Sequence, residues 1–194
     1  FSGIGGLALG LERAGRGPVV WQAESGGFCR EILAKHWPAA KRFTDVRQVR
    51  NDTAQTTDVI CGGFPCQDLS PAGRRAGIEH GEKSGLWREF RRIVDELRPR
   101  WGIAENTGHG VGGWMPTVRG DLGRLGYASV CVRLRASDLG AWHERARGFV
   151  VANAYGEQLR PVARGRYGEG ARHLWARSVQ LARSRAPWVA SDGD

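Results

Sequence analysis

Apolar residues over the first 152 positions recur at two spacings, one helical and one extended. From Gly6 to Ala14, the residues Leu7, Leu11 and Ala14 fall on one helical face. Pro18–Ala23 (PVVWQA) reads as a strand. Gly27–Trp37 is helical again, with Phe28, Ile32 and Leu33 on its inward face and Pro38 as its stop. Asp58–Cys61 (DVIC) is a short buried strand running into Gly62-Gly63. Leu86, Phe90, Val94 and Leu97 mark an amphipathic helix that Ser84 can cap and Pro99 ends. Trp101–Ala104 reads as a strand, and Met115, Val118, Leu122 and Leu125 as a helix closed by Gly126. Ala128, Val130, Val132 and Leu134 alternate as a strand, and Gly148–Ala152 forms another.

Strands alternating with helices predict an α/β sandwich around a largely parallel sheet. Little lies between the last two strands to form a crossover helix, so they can pair antiparallel. Phe64–Ser84 has no period and is polar and glycine-rich, which predicts a long loop of the kind that carries function. After Asn153 the character changes: seven arginines and two glutamates precede Pro187, and large aliphatics are sparse. Residues 1–152 are therefore expected to form the core and residues 153–194 a basic tail.

The 194 residues suit one domain, and no apolar run is long enough to span a bilayer. The net charge is +9, and only three of the 29 basic residues are lysines. Such an excess fits a polyanionic partner such as nucleic acid, and equally a GC-rich coding sequence that favours arginine codons. The four cysteines form no C-x-x-C pair, which argues against zinc and redox motifs and fits a reducing compartment. No metal is expected.

Four short motifs carry chemistry. F-S-G-I-G-G (Phe1–Gly6) opens a helix, and its glycines let backbone approach a ligand. Gly3, Gly5 and Ala8 also satisfy G-x-G-x-x-A, and Glu24 follows at the distance of a ribose-binding acid. This fits a nucleotide-type cofactor without separating a nicotinamide from S-adenosylmethionine, and a structural glycine turn stays open. G-G-F-P-C-Q-D (Gly62–Asp68) places Cys66 on a loop at a strand's C-terminal end, where α/β sheets open their ligand crevice. The other three cysteines sit in apolar segments as packed thiols, and Cys66 is either a nucleophile or a bystander. Glu105-Asn106 ends the strand from Trp101, and Glu105 is either a crevice carboxylate or a solvated loop acid. In H-E-R-A-R (His143–Arg147), Arg145 and Arg147 alternate along an extended chain and can face one side.

In this order the motifs resemble the cytosine-5 DNA methyltransferases, most of all the bacterial and prophage modification type. FSGIGG, the acid in QAES, TDV at Thr44–Val46, GGFPCQDLSPAG, SGLWREFRRIV, ENT, and HERAR before GFVVANA carry the resemblance from Phe1 to about Ala154. It implies a Rossmann-like α/β sandwich with a mixed, mostly parallel sheet, truncated at both ends, that takes S-adenosylmethionine as cofactor. Phe1, Ser2, Gly3, Gly5 and Gly6 would cradle that cofactor, and Glu24 would bind its ribose. Asp45 and Val46 would meet the adenine, with Pro65 and Leu86 lining the same pocket. Cys66 would attack carbon 6 of cytosine, and Glu105 would protonate ring nitrogen 3. Arg145 and Arg147 would hold the base, and Asn106 would position the Cys66 loop. Gln67, Ser70, Arg74 and Arg75 would contact double-stranded DNA. The implied protein is a monomer of the bacterial or phage-infected cytoplasm.

The family's strand before FSGIGG and its late G-N-A/S-V-x-P motif are not in these 194 residues, which are expected to be a catalytic core cut from a larger domain. The family's Gln ahead of the arginine pair is His143, and its E-N-V is Glu105-Asn106-Thr107. The same core can serve a tRNA cytosine methyltransferase, or a truncated relative that binds nucleic acid without turnover.

Overall fold

The computed structural model describes residues 1–65, 86–107 and 113–154. In chain order the elements are α1 (Gly6–Arg13), β1 (Trp21–Ala23), α2 (Gly27–His36), β2 (Lys41–Phe43), β3 (Val59–Gly63), α3 (Leu86–Leu97), β4 (Trp101–Thr107), α4 (Trp114–Arg124), β5 (Ala128–Leu134) and β6 (Arg147–Asn153). They form an α/β fold. β1 and β2 pair in parallel, and a second sheet runs in the order β3-β4-β6-β5. Within it β3 and β4 are parallel, while β6 runs antiparallel to both β4 and β5. The late hairpin thus pairs as expected, and it inserts β6 beside β4 with β5 outside it.

Alternation along β4 explains why the helices cover one face. Gly102, Ala104 and Asn106 are buried, and their neighbours in between are half-buried. Val150 and Ala152 continue the buried face on β6, and Ile60 on β3. Against it α3 lays Trp87, Phe90, Ile93, Val94 and Leu97, and α4 lays Trp114, Met115, Val118 and Leu122. Trp87 and Ile93 widen the apolar stripe beyond the four residues the helical spacing predicts, because the buried face of α3 spans more than one row. The indole Nε1 of Trp87 donates to Asp121 Oδ2 at 2.7 Å and so ties α3 to α4 through a buried polar contact.

Several expectations shift in detail. The first strand is limited to Trp21–Ala23, and β2, whose three residues give too little pattern to read, lies beside it. β4 and β3 both run farther than expected, so Glu105 and Gly63 lie inside strands rather than after them. Phe28 is 73% exposed rather than inward, because α2 turns Leu33 to the interior instead. Between the facing edges of β1 and β3 lies a cleft of about 300 Å³, lined on the helix side by Leu7, Ala8 and Leu11. Phe1 and Ser2 cross its end: Ser2 N–H donates to Ala23 O, and Gly63 N–H to Phe1 O, both at 3.1 Å. The FSGIGG loop is thereby anchored to both sheets.

Gly148 sits where β6 passes under α4. A Cβ there would stand 3.0 Å from Trp114 Cζ2 and would press on Met115 Cε. Gly148→Ala is expected to destabilise the fold by about 1–3 kcal/mol, the usual cost of overpacking. Chemical denaturation checks this.

Candidate active site

The FSGIGG loop, Glu24, Glu105, Arg145 and Arg147 meet in one open cleft of about 700 Å³ at the C-terminal ends of β1, β3 and β4. Its first wall is FSGIGG. Gly5 takes the left-handed conformation (φ 91) just before α1. A Cβ on Gly5 would run into the Trp37 ring and stand 3.1 Å from Leu33, so both backbone shape and packing require glycine. Phe1, Ser2, Gly3 and Gly6 line the cleft, whereas Gly5 packs behind it against α2.

Glu24 follows β1 and locks this loop in place. Its Oε2 accepts from the Phe1 nitrogen at 3.0 Å and Gly3 N–H at 2.8 Å, and its Oε1 from Gly26 N–H at 3.0 Å. Burial alone would raise this carboxyl; hydrogen bonds from the Gly26, Phe1 and Gly3 nitrogens outweigh burial and hold it below its ordinary range. An ionised carboxylate offers about four acceptor positions, so one remains for a hydroxyl in the cleft. Asp45 caps a short 3₁₀ turn (Val46–Gln48), accepting from Arg47 N–H at 2.9 Å. Asp45, whose Oδ2 also pairs with Arg47 Nη1 at 3.3 Å, lines the same cleft with Val46, Pro65 and Leu86.

The opposite wall is set by strand register. Gly63 of β3 pairs with Glu105 of β4, and Thr107 pairs with Arg147 of β6. Glu105 and Arg147 are therefore diagonal neighbours on one face. Arg147 Nε lies 3.0 Å from Glu105 Oε1. A Cβ on Gly63 would stand 2.6 Å from Glu105 Oε2, so the glycine leaves room for the carboxylate. Burial pushes the Glu105 carboxyl up, and the charges of Arg147 and Arg145 pull against it without cancelling it. Glu105 thus keeps its proton to a higher pH than a free glutamate.

Arg145 and Arg147 both line the cleft, but not by strand alternation. Arg145 has φ 26, a left-handed conformation that a non-glycine residue rarely adopts, and β6 begins only at Arg147. The neighbouring Asn106 is 3% exposed. It donates from Nδ2 to Phe64 O at 3.0 Å and accepts Thr107 N–H at 2.7 Å. Phe64 is also clamped between Trp87 and Trp114, with ring centroids 5.5 and 5.4 Å away. Trp87 lies within SGLWREFRRIV but drew no role there, and Trp114 belongs to no motif; their helical spacing with Phe90 and Val118 was the available signal. Cys66, Gln67, Ser70, Arg74 and Arg75 lie outside the described residues. Cys29, Cys61 and Cys131 are free thiols, and burial raises Cys61 to about 11, as suits an unreactive packed group.

The C-5 cytosine-specific DNA methylase family matches residues 1–176. The chain belongs to that family. It is 31% identical over 163 residues to Type II methyltransferase M2.BsuMI of Bacillus subtilis, covering 80% of this chain and 41% of that protein. With Type II methyltransferase M.HhaI of Haemophilus parahaemolyticus it shares 30% over 155 residues, 78% of this chain and 46% of the other. Among solved structures, a DNA modification methyltransferase encoded within an Escherichia coli prophage superposes with a TM-score of 0.63 at 28% identity, covering 79% of this chain and 44% of that one. The S. pombe Dnmt2 methyltransferase matches in fold, with a TM-score of 0.66 at 20% identity over 81% of this chain and 50% of the other. This chain spans less than half the length of the curated relatives described here. Among the described residues no helix is long and apolar enough to cross a membrane, and no group of three His, Cys, Asp or Glu could hold a metal.

The Glu105–Arg147 contact makes a direct prediction. In a ¹³C titration of the glutamate carboxyls, with Glu105→Gln marking the signal, Glu105 should titrate above an ordinary glutamate. Arg147→Ala should move it higher still, because a stabilising positive charge is lost. A downward shift would contradict the pairing.

Proposed function

We propose that this chain is the catalytic core of a methyltransferase that moves a methyl group from S-adenosylmethionine to carbon 5 of cytosine in double-stranded DNA. The observation that supports it most is the single cleft joining Glu24, Asp45 and the FSGIGG loop to the Glu105–Arg147 pair. The donor set fits the cofactor: an ionised carboxylate with one acceptor position left for a ribose hydroxyl, and Val46, Phe1 and Leu86 as apolar surface for an adenine. S-adenosylmethionine supplies an electrophilic methyl group on a sulfonium. We assign the cytoplasm of a bacterial or phage-infected cell, where such DNA is found.

The protein's residues must make carbon 5 of cytosine nucleophilic. In this reading the Cys66 thiolate forms a bond to carbon 6 while protonated Glu105 donates its proton to ring nitrogen 3. The ring then holds an enamine whose electrons reach carbon 5, and carbon 5 takes the methyl group as the methyl–sulfur bond breaks and its electron pair stays on sulfur as a neutral thioether. Loss of the carbon-5 proton to a base expels the thiolate and restores the ring, and the nitrogen-3 proton returns to Glu105. A carboxyl whose proton is held by burial suits the donor role. Arg147, fixed against Glu105, orients that carboxyl, and Arg145 stands beside it to meet the base or its phosphate. Asn106, bonded to Phe64 two residues before Cys66, positions the thiol. The target base must leave the helix stack to enter the cleft, which costs a few kcal/mol. Arg74 and Arg75, which follow Cys66 in the chain, are suited to meet phosphates.

A duplex bearing 5-fluorocytosine at a methylation site tests the adduct. With methyl-labelled S-adenosylmethionine, the protein should become trapped as a covalent, denaturation-resistant complex. Cys66→Ala should abolish trapping; a trapped Cys66→Ala protein would remove Cys66 from its role. Glu105→Gln should slow methyl transfer on normal DNA by about 10²-fold or more while leaving cofactor binding unchanged. An unchanged rate would exclude Glu105 as the proton donor.

A further inference from the structure

The connection between β5 and β6 carries side chains that neither the core nor the cleft uses. Ala136 N–H donates to Glu144 O at 2.7 Å, Ala141 N–H to Ala136 O at 3.1 Å, and Gly140 N–H to Ser137 O at 3.1 Å. Asp138 accepts from Arg135 N–H at 2.9 Å and Arg135 Nε at 3.2 Å. Residues 135–144 are therefore a hydrogen-bonded knuckle rather than a free loop. The knuckle holds Trp142 96% exposed and Leu139 63% exposed. Trp142's ring partner among the described residues is the His143 imidazole, edge-on at 5.2 Å. A whole indole presented to water on a braced support marks a contact surface, since its burial is worth more than that of any other side chain.

Register tells where this surface lies. Arg147 pairs with Leu134 on one side and with Thr107, the last residue of β4, on the other. The knuckle thus projects from the same sheet end that carries Gly63, Glu105 and the cleft. Its flanks along the chain are Arg133 of β5 and Arg135 just after it, and Arg145 and Arg147, the first residue of β6. Asp138 and Glu144 pair with Arg135 at 3.2 and 3.9 Å and Arg147 pairs with Glu105, which leaves Arg133 and Arg145 as the flanking cations outside any ion pair among the described residues. A flat apolar ring among arginines, beside a cleft suited to an extruded base, matches a nucleobase flanked by phosphates.

We propose that the Leu139–His143 knuckle is a second nucleic-acid contact, in which Trp142 stacks on an unpaired base of the DNA next to the target cytosine. The neighbouring arginines hold the adjoining phosphates. The proposal rests on the cytosine reading of the cleft and adds a specificity for locally opened duplex. Trp142 is a positioning residue here: it grips the strand while the chemistry takes place at the cleft.

Fluorescence anisotropy with labelled DNA tests it, using a fully paired duplex and the same duplex with one bulged base beside the target cytosine. The full chain should bind the bulged duplex more tightly. Trp142→Ala should weaken bulged-duplex binding about tenfold, the usual loss of one stacked base, and remove most of the preference. Trp142→Phe should keep most of both, because a phenyl ring still stacks. S-adenosylmethionine binding by equilibrium dialysis should be the same in all three proteins. Wild-type affinity in Trp142→Ala overturns the proposal, as does a loss in Trp142→Phe as large as that in Trp142→Ala. Unchanged DNA binding with a lowered Tm, or with residues 155–194 newly open to trypsin, shows instead that the knuckle packs on its own chain. Failure of the wild-type protein to bind either duplex overturns the cleft reading together with this one.

Discussion

Strand β4 is paired on both edges, parallel to β3 and antiparallel to β6, and that double pairing sets the cleft. It brings three segments far apart in sequence to one sheet end. Gly63 falls beside Glu105 because their Cα positions are partners, and Arg147 falls on the diagonal because Thr107 is its partner. A slip of one residue in either pairing would send Glu105 or Arg147 to the opposite face. The opposite face is the one filled by α3 and α4, where a charged group would be buried without a partner. Hydrophobic burial on one side of the sheet thus enforces the polar geometry on the other.

The aromatic packing extends that control to the segment leading to Cys66. Phe64 lies against Trp87 and Trp114, Trp87 stacks on Phe90, and Trp87 Nε1 is held by buried Asp121. Asn106 satisfies the Phe64 carbonyl from β4. The chain therefore leaves the sheet at Phe64-Pro65 from a point fixed by two helices and a strand. Glu24 does the same for the FSGIGG loop, accepting from the Phe1, Gly3 and Gly26 nitrogens, and these bonds outweigh burial at its carboxyl. The carboxylate's contribution to stability is present above its ordinary range and is lost as pH falls through its lowered folded value.

Much of this was legible in the chain. The helical spacing of Phe90, Val94 and Leu97 marked α3, and the strict alternation from Ala128 to Leu134 marked β5 to the residue. Phe28 misled because helical spacing places a residue on a face without saying what that face meets; here Leu33 goes inward and Phe28 stays in water. β2 escaped notice because three residues cannot display a period. Arg145 was expected to share an extended alternation with Arg147, yet its left-handed φ turns it into the cleft by another route.

The sequence by itself determined the family, the chemistry-bearing residue types and their order, because glycine loops, a proline-bound cysteine and a paired arginine motif are local signals carried by consecutive residues. Only the tertiary structure decided that Glu105 is a half-buried strand residue facing Arg147, that Gly63 leaves room for its carboxylate, and that Trp142 stands in water at the same sheet end as the cleft. Those facts depend on register between strands separated by some 40 residues at each step. Register is chosen by the summed burial of whole faces, and no short stretch of sequence contains that sum.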